Sequence, residues 1–406
     1  EILSYNMAFL GGQLQFDEYD LSVFTAPENI HPFGLNSYYQ SGNKLPNNPN
    51  AYNATLSNSA FYISNEAELL KDMKVILGLR GENFVQRHTG RDIEFANGGD
   101  GNNLVDEKVL DAFDLFPSAN MVYALSGDMN LRLGYSKTIA RPSFKELSFA
   151  QIIDPLSNRI FNGALFQYDD WGGQLVETRI NNFDIRWEMF QERGQLISAS
   201  IFFKQFDNPI ELVRIPEAQT TSEFQPRNVG DGQVLGFEFE VRKNLKFITP
   251  ALQNLSFSTN ITVVESKIEM TETEYNSRLN FERDGETLSN TRAMAGQSPY
   301  VVNAGLVYNN VESGIDAGLF YNIKGRTLEV ISSGLYPDVY LNPFNSLNFS
   351  FKKRFGSDLN SAISFKVSNI LNDDMERVFS SFNAAEEYFT KFSPGISFSL
   401  GYSHQF

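Results

Sequence analysis

Tyr168-Asp169-Asp170-Trp171, followed by Gly172-Gly173, sets two aromatic rings beside two carboxylates in a long polar stretch. Rings stack on flat ligands, and carboxylate oxygens accept hydrogen bonds or ligate Ca²⁺. One reading is a ligand-binding loop for a sugar, a peptide or a metal chelate. The plainer reading is a polar surface loop with a few packed aromatics. Glu238 and Glu240 form a second constellation, because paired carboxylates can hydrolyse glycosides. Their i,i+2 spacing next to Arg242 puts them on one charge-lined strand face, so no catalytic role is assigned and no enzyme is expected. His31, His88 and His404 are the only histidines and lie far apart, and there is no cysteine. A disulfide framework and a thiolate metal site are therefore excluded, a His-based zinc or catalytic site has little support, and no cofactor or metal is expected. Asn97-Gly98-Gly99-Asp100-Gly101-Asn102-Asn103 lacks EF-hand spacing and a P-loop context, and reads as a flexible loop.

The chain of 406 residues carries a formal charge of −16. Phosphate binding needs clustered Lys and Arg, which argues against nucleic acid as a partner. No run approaches the roughly 18 apolar residues of a membrane helix. Mean hydropathy is −0.28, a value compatible with a barrel, in which half of every strand faces a polar lumen. The 36 Phe and 17 Tyr suit aromatic girdles. The chain opens at Glu1 with neither Met nor a signal peptide, so processing or origin as a piece of a longer protein is expected.

The elements that would position these residues are strands. Met129, Leu131, Leu133 and Tyr135 alternate with Asn130, Arg132, Gly134 and Ser136. Phe183, Ile185, Trp187 and Met189 alternate with Asn182, Asp184, Arg186 and Glu188, and the same period recurs over 235–242, 255–263, 300–308, 315–323, 347–351 and 359–367. Half-exposed strands produce this period and buried helices do not. Arg80, Arg132, Asp184, Arg186, Glu188, Glu238, Glu240 and Arg242 fall on the polar face, which must face a lumen because charges facing lipid are costly. They are expected to pair across strands or with a plug.

Short links near 70–72, 127–128, 192–194, 244–253, 311–314 and 355–358 alternate with long polar stretches at 89–110, 139–179, 207–231, 269–298, 325–342 and 372–392. A soluble sandwich has no reason to keep all its long connections on one side. An outer-membrane barrel has short periplasmic turns and long extracellular loops. Thirteen strands are counted from about Asn58, and Asn6–Phe16 is a candidate fourteenth. Residues 1–57 thus read as that strand plus a long extracellular loop, and 58–406 as barrel. The last strand should descend toward the periplasm. Phe398, Leu400, Tyr402 and Phe406 lie on its apolar face, and this strand resembles the terminal strand by which outer-membrane barrels are recognised for insertion.

Several segments carry a family resemblance. LRLGYSKTIARPSFKEL at Leu131–Leu147 resembles the strand-and-loop signature of TonB-dependent outer-membrane receptors, especially those of Bacteroidetes. VILGLRGE at Val75–Glu82, RINNFDIRWE at Arg179–Glu188, SASIFFKQFDNPIE, NVGDGQVLGFEFEVRK and FKVSNILND at Phe365–Asp373 resemble further elements of that family, in family order. Leu175–Glu177 depart from its pattern. The resemblance implies an all-β, antiparallel transmembrane barrel of about 22 strands with a plugged lumen. This chain matches the C-terminal thirteen or fourteen strands, and the plug and the energy-coupling box have no counterpart in it. Arg141 and Pro142, within the Ala140-Arg141-Pro142 element, are candidates for anchoring a loop or the plug; the plainer reading is a strand terminator with a buried ion pair.

The implied function is receptor-mediated uptake of a specific nutrient across the outer membrane. The partners implied are outer-membrane lipid, a TonB-type energy-transducing protein acting through an N-terminal region outside this chain, a small nutrient ligand, and a surface lipoprotein. Siderophore, cobalamin, glycan and peptide ligands are not distinguished. The alternatives are a passive fourteen-stranded outer-membrane channel and a non-transporting barrel subunit of a surface complex.

Overall fold

The computed structural model describes residues 51–96, 98–154, 159–215, 222–332, 336–356 and 358–405. The candidate strand Asn6–Phe16, His31, Asn97 and Phe406 lie outside the described residues. One antiparallel sheet of fourteen strands dominates. Thirteen follow one another along a single path: β1 (Asn53–Leu70), β2 (Met73–Arg91), β3 (Asn103–Ala124), β4 (Met129–Ala140), β5 (Thr178–Gln191), β6 (Gln195–Asp207), β7 (Gly232–Asn244), β8 (Leu255–Glu269), β9 (Tyr300–Asn310), β10 (Ile315–Lys324), β11 (Phe344–Phe355), β12 (Ser361–Ser368) and β13 (Ser397–His404). The short strand Thr291–Arg292 pairs with β8. The first strand begins at Asn53, ahead of Asn58. No described helix is long and apolar enough to cross a membrane.

Register aligns the apolar stripes from strand to strand. Leu133 pairs with Ile185, Ile185 with Ile201 and Ile201 with Phe237. The rings of Tyr135 and Phe183 lie 5.0 Å apart, and those of Phe183 and Phe203 6.3 Å. These form an aromatic row across β4, β5 and β6 toward the long-connection end. The short links fall where the sequence places them. Gly314 closes the β9–β10 turn at φ +65, and a Cβ there would lie 2.7 Å from the carbonyl oxygen of Arg354, so only glycine fits. On the other face Gly236 lets the Phe202 ring lie flat on the wall, because a Cβ would come within 2.1 Å of it.

The stretch 89–110 is not the long loop that its polarity predicts. The β2–β3 ladder runs up to Arg91 paired with Asn103, leaving only α1 (Ile93–Ala96) and a turn. Asp92 closes that turn by accepting from the amides of Phe95 (2.8 Å) and Asn102 (2.6 Å). Both faces of this upper hairpin carry polar residues, so the alternation that marks a membrane strand is lost while the backbone ladder continues. β3 and β4 pair only from Ser118–Ser136 to Ala124–Asn130. Pro117 stands just past that ladder and has no N–H to extend it, so the upper hairpin parts from β4.

At the same end the long connections build two further sheets of four strands each. One joins Gln151–Asp154, Arg159–Asn162, Ser222–Asn228 and Ile210–Arg214. The other joins Thr327–Val330, Asp338–Leu341, Met375–Ser380 and Glu387–Phe392. They meet at the Val213–Ile331 bridge, where the Arg214 amide donates to the Ile331 carbonyl at 3.1 Å. Most of the fully buried apolar side chains sit in this outer layer and not in the wall. Leu147, Ile215, Leu328, Ile331 and Val339 are there.

The main sheet stays open among the described residues. β13 pairs with β12 on one side, and β1 pairs with β2. No pair joins β1 to β13.

Candidate functional site

The outer layer holds the residues whose chemistry the sequence singles out. β4 ends at Ala140, and Arg141 crosses the cleft that opens where β3 and β4 part. Its guanidinium donates to Glu82 at 2.7 Å, lies 3.7 Å from Asp114 and covers the Phe84 ring at 4.3 Å. Arg179, at the start of β5, adds pairs with Asp114 (3.2 Å) and Glu177 (2.9 Å). Arg80 holds the other oxygen of Glu82 at 2.6 Å. Pro142 is buried directly after Arg141, where a missing N–H costs nothing. Two arginines thus bind through shared carboxylates the two ends of the 139–179 connection to the neighbouring hairpin. Behind them Phe84, Leu110, Leu147, Ala164 and Leu175 form a small apolar core.

Tyr168, Asp170 and Trp171 are engaged within their own layer. Tyr168 and Trp171 exchange backbone hydrogen bonds of 2.9 Å across a tight turn. The Tyr168 hydroxyl donates to Glu223 at 2.9 Å and accepts from Asn162 at 2.6 Å. Burial first, and then the adjacent Glu223 carboxylate, push its phenol above the ordinary tyrosine value. Asp170 pairs with Arg227 at 2.8 Å, and that guanidinium lies 5.5 Å from the centres of both the Tyr168 and Trp171 rings. The Trp171 indole donates to the Ala164 carbonyl at 2.7 Å. Asp169 is exposed. The four residues are together as their adjacency requires, and three of them tie the loop to the strand Ser222–Asn228.

A second cluster joins three other connections. Arg278, on α2 (Glu272–Leu279), makes a two-pronged contact with Asp338, 3.0 Å on each side, and a further bond of 3.1 Å to Glu274. Arg292 bonds to Glu274 and to Glu211, each at 2.7 Å. Burial pulls both guanidinium pKa values down, but the surrounding carboxylates more than offset it, so both stay above the ordinary arginine value. Burial and the Asp338 charge raise the Tyr340 phenol. Beside this cluster a cavity of about 560 Å³ opens among Phe281, Arg283, Tyr336, Tyr340, Ser381 and Phe382.

The sequence singles out none of this cavity. Its members come from 269–298, 325–342 and 372–392, and the one local signal is the i,i+4 spacing of Arg278 from Glu274 in the adjoining cluster, that of a helical ion pair. Their other partners are far away in the chain.

In the wall, several of the charges assigned to the inner face pair with one another. Glu188 bonds to Arg132 and to Arg186, Arg186 reaches Glu240 at 3.3 Å, and Arg242 does the same. Glu238 accepts from Thr262 at 3.5 Å. Glu238 and Glu240 therefore belong to a ladder of bonds running across the strands. Phe398, Leu400 and Tyr402 share the outer face of β13, opposite Val367, Phe365 and Ile363. His88 is buried on β2 and stacks on Tyr52 at 5.2 Å. His404 meets the Ser361 hydroxyl at 2.9 Å. No group of His, Cys, Asp and Glu able to hold a metal occurs among the described residues.

Comparison with known proteins places this architecture. Residues 4–370 match the family described as "TonB dependent receptor-like, beta-barrel". No curated protein sequence matches significantly. Similar solved structures include the ferric citrate transporter FecA in its unliganded form (14% identity, TM-score 0.60). They also include the copper transporter OprC (15%, 0.61) and the ferric yersiniabactin uptake receptor FyuA from Yersinia pestis (13%, 0.55). Each alignment covers 87% of this chain, and respectively 45%, 48% and 46% of the other chain. The chain therefore spans about half the length of the structures it resembles. At these identities the likeness is one of fold.

Proposed function

The chain belongs to the TonB dependent receptor-like β-barrel family, and from that premise we propose that it forms the wall and outer layer of an outer-membrane receptor. This receptor takes up one nutrient, driven by a TonB-type transducer. The observation that carries the reading is the separation of the two ends of the sheet. One end has short links, the longest at 244–253, whereas the other carries two extra sheets and three charge clusters. A receptor that collects a scarce ligand from outside needs such an elaborated face, and a passive pore needs only rim loops.

In this reading the long connections face the cell exterior and the C-terminus faces the periplasm. Arg141 and Pro142 anchor the 139–179 connection. Tyr168, Asp170 and Trp171 brace that connection, and Asp169 beside them is left for ligand contact. Phe398, Leu400 and Tyr402, with Phe406, act as the insertion signal. A surface lipoprotein covering the outer face fits the same geometry. A closed fourteen-stranded channel is disfavoured by the lack of a β1–β13 pair among the described residues.

The test is energised uptake. Cells expressing the full receptor should accumulate its nutrient only when the transducer is present. Uptake that continues unchanged without the transducer would sink the proposal in favour of a passive channel. Orientation has its own check. Protease added to intact cells should cut within 139–179 or 269–298 and spare 311–314; cleavage only after permeabilisation would invert it.

A further inference from the structure

The cavity of about 560 Å³ among 269–298, 325–342 and 372–392 lies within the usual size range of a ligand pocket, and its electrostatics narrow what it would hold. Its deep charges are already matched inside the protein. Arg278 and Arg292 are held by Glu274, Asp338 and Glu211. Arg283, by contrast, is exposed, and its side chain donates to the Phe382 carbonyl at 3.2 Å. The connection 269–298 carries Glu269, Glu272, Glu274, Glu282, Asp284 and Glu286 against Arg278, Arg283 and Arg292. An anionic ligand would therefore meet an acidic surround in which the two buried guanidiniums are occupied.

What the cavity leaves open to solvent is aromatic and hydroxylic, together with the Arg283 guanidinium. Phe281 is 48% exposed and Phe382 36%, so both lining rings keep surface open to solvent. Ser380, Ser381, Tyr336 and Tyr340 line the cavity with Phe382. Half-exposed rings at the mouth of a polar cavity suit a ligand with flat C–H faces and many hydroxyls. The rings take the apolar faces, and the serines and the remaining lone pairs of Glu286 and Asp338 take the hydroxyls.

We propose that this cavity binds a neutral oligosaccharide, with Phe281 and Phe382 as stacking platforms and Arg283, Ser380 and Ser381 as hydroxyl partners. The proposal rests on the reading that this face collects the receptor's ligand. It sets a polyhydroxylated neutral ligand against the charged metal chelates.

The test is calorimetry on the full receptor in a detergent without a sugar headgroup. The probes are maltoheptaose, cellohexaose, xylohexaose and mannohexaose, with ferric citrate as the anionic control. At least one neutral sugar should bind. The double variant Phe281→Ala/Phe382→Ala should weaken it by roughly tenfold or more, because both stacking platforms are removed. Phe281→Trp/Phe382→Trp should keep binding, because it preserves the stacking surface. Both rings are exposed, and heat-modifiable electrophoretic migration checks that each variant is folded. The proposal is overturned if none of these sugars binds, if only ferric citrate binds, or if the double alanine variant binds as the parent does. Failure of the receptor reading looks different. A sugar would then bind in a Phe-dependent way while uptake ignored the transducer. Transducer-dependent uptake of another nutrient without sugar binding would overturn the cavity proposal alone.

Discussion

The wall and the outer layer handle apolar surface in opposite ways. In β13 the side chains of Leu400, Phe398 and Tyr402 are 78%, 70% and 67% exposed, and these values would be a liability in water. In the outer layer Ile331 is 0% exposed, while Ile215, Leu147 and Val339 are 1%. The wall turns its greasy face outward because lipid is its solvent, and its polar face points to a lumen. The outer layer sits in water and builds an ordinary two-layer core. The polar groups differ likewise. Wall charges form strand-to-strand pairs such as Arg132–Glu188 and Arg186–Glu240. Outer-layer charges tie separate connections into one body, as Arg292 does between Glu211 and Glu274. One chain thus follows two rules of burial, and the boundary runs where β3 and β4 part.

The sharpest way to break this contrast is to remove a shared carboxylate of the outer layer. Glu274→Ala leaves Arg278 and Arg292 buried beside each other without their common partner. We expect about 3–5 kcal/mol of local destabilisation. Hydrogen exchange should accelerate across 269–298 and 325–342 while β4 to β7 stay protected. Equal acceleration in the wall would show that the two regions are one cooperative unit.

Next come paired substitutions that read the solvent of each region. Ile331→Ala should cost about 2–5 kcal/mol, similarly in detergent and in bilayer, by denaturant titration of the outer layer. Leu133→Arg should cost about 2–4 kcal/mol near the membrane midplane, measured by reversible folding into lipid vesicles. A neutral Leu133→Arg would refute the lipid assignment of that face.

Spin labels sharpen the boundary without perturbing stability much. Labels at Leu133, Phe203, Phe237, Leu319 and Phe398 should be relaxed by lipid-soluble oxygen and shielded from an aqueous nickel complex. A label at the exposed Asp169 should show the reverse. The opposite pattern at either set would invert the placement of the two regions.

The smallest effect expected is a pH response at the upper hairpin. Burial raises the Asp92 pKa, but the amides of Phe95 and Asn102 and the Asn102 side chain outweigh it, so the folded value lies below the ordinary one. A depressed carboxylate stabilises above its unfolded pKa, and this stability is lost as pH falls through the folded value. Exchange protection of 93–102 should hold from neutral pH downward and fade only below about pH 4. Asp92→Asn should remove that pH dependence. Fading that already begins near pH 6 would point to another group.

The sequence by itself determined the wall. Strict alternation at 129–136, 183–189 and 235–242 assigns each side chain to lipid or lumen, because a strand switches face at every residue and no partner is needed to read it. The alternation of tight and long links then orders the strands, and the inner charges follow from the cost of facing lipid. The upper part of the β2–β3 hairpin escaped this reading. Above the membrane both faces are wet, so a continuing ladder has no hydrophobic period to betray it. Only the tertiary structure decided the outer layer. Tyr168, Asp170 and Trp171 are adjacent in sequence, but Glu223 and Arg227, which engage them, come from another connection. Glu211, Glu274, Arg292 and Asp338 lie in three connections, and Phe281 and Phe382 meet at one cavity from two. Contacts between loops obey no local period; they depend on how the barrel wall brings the ends of distant strands side by side.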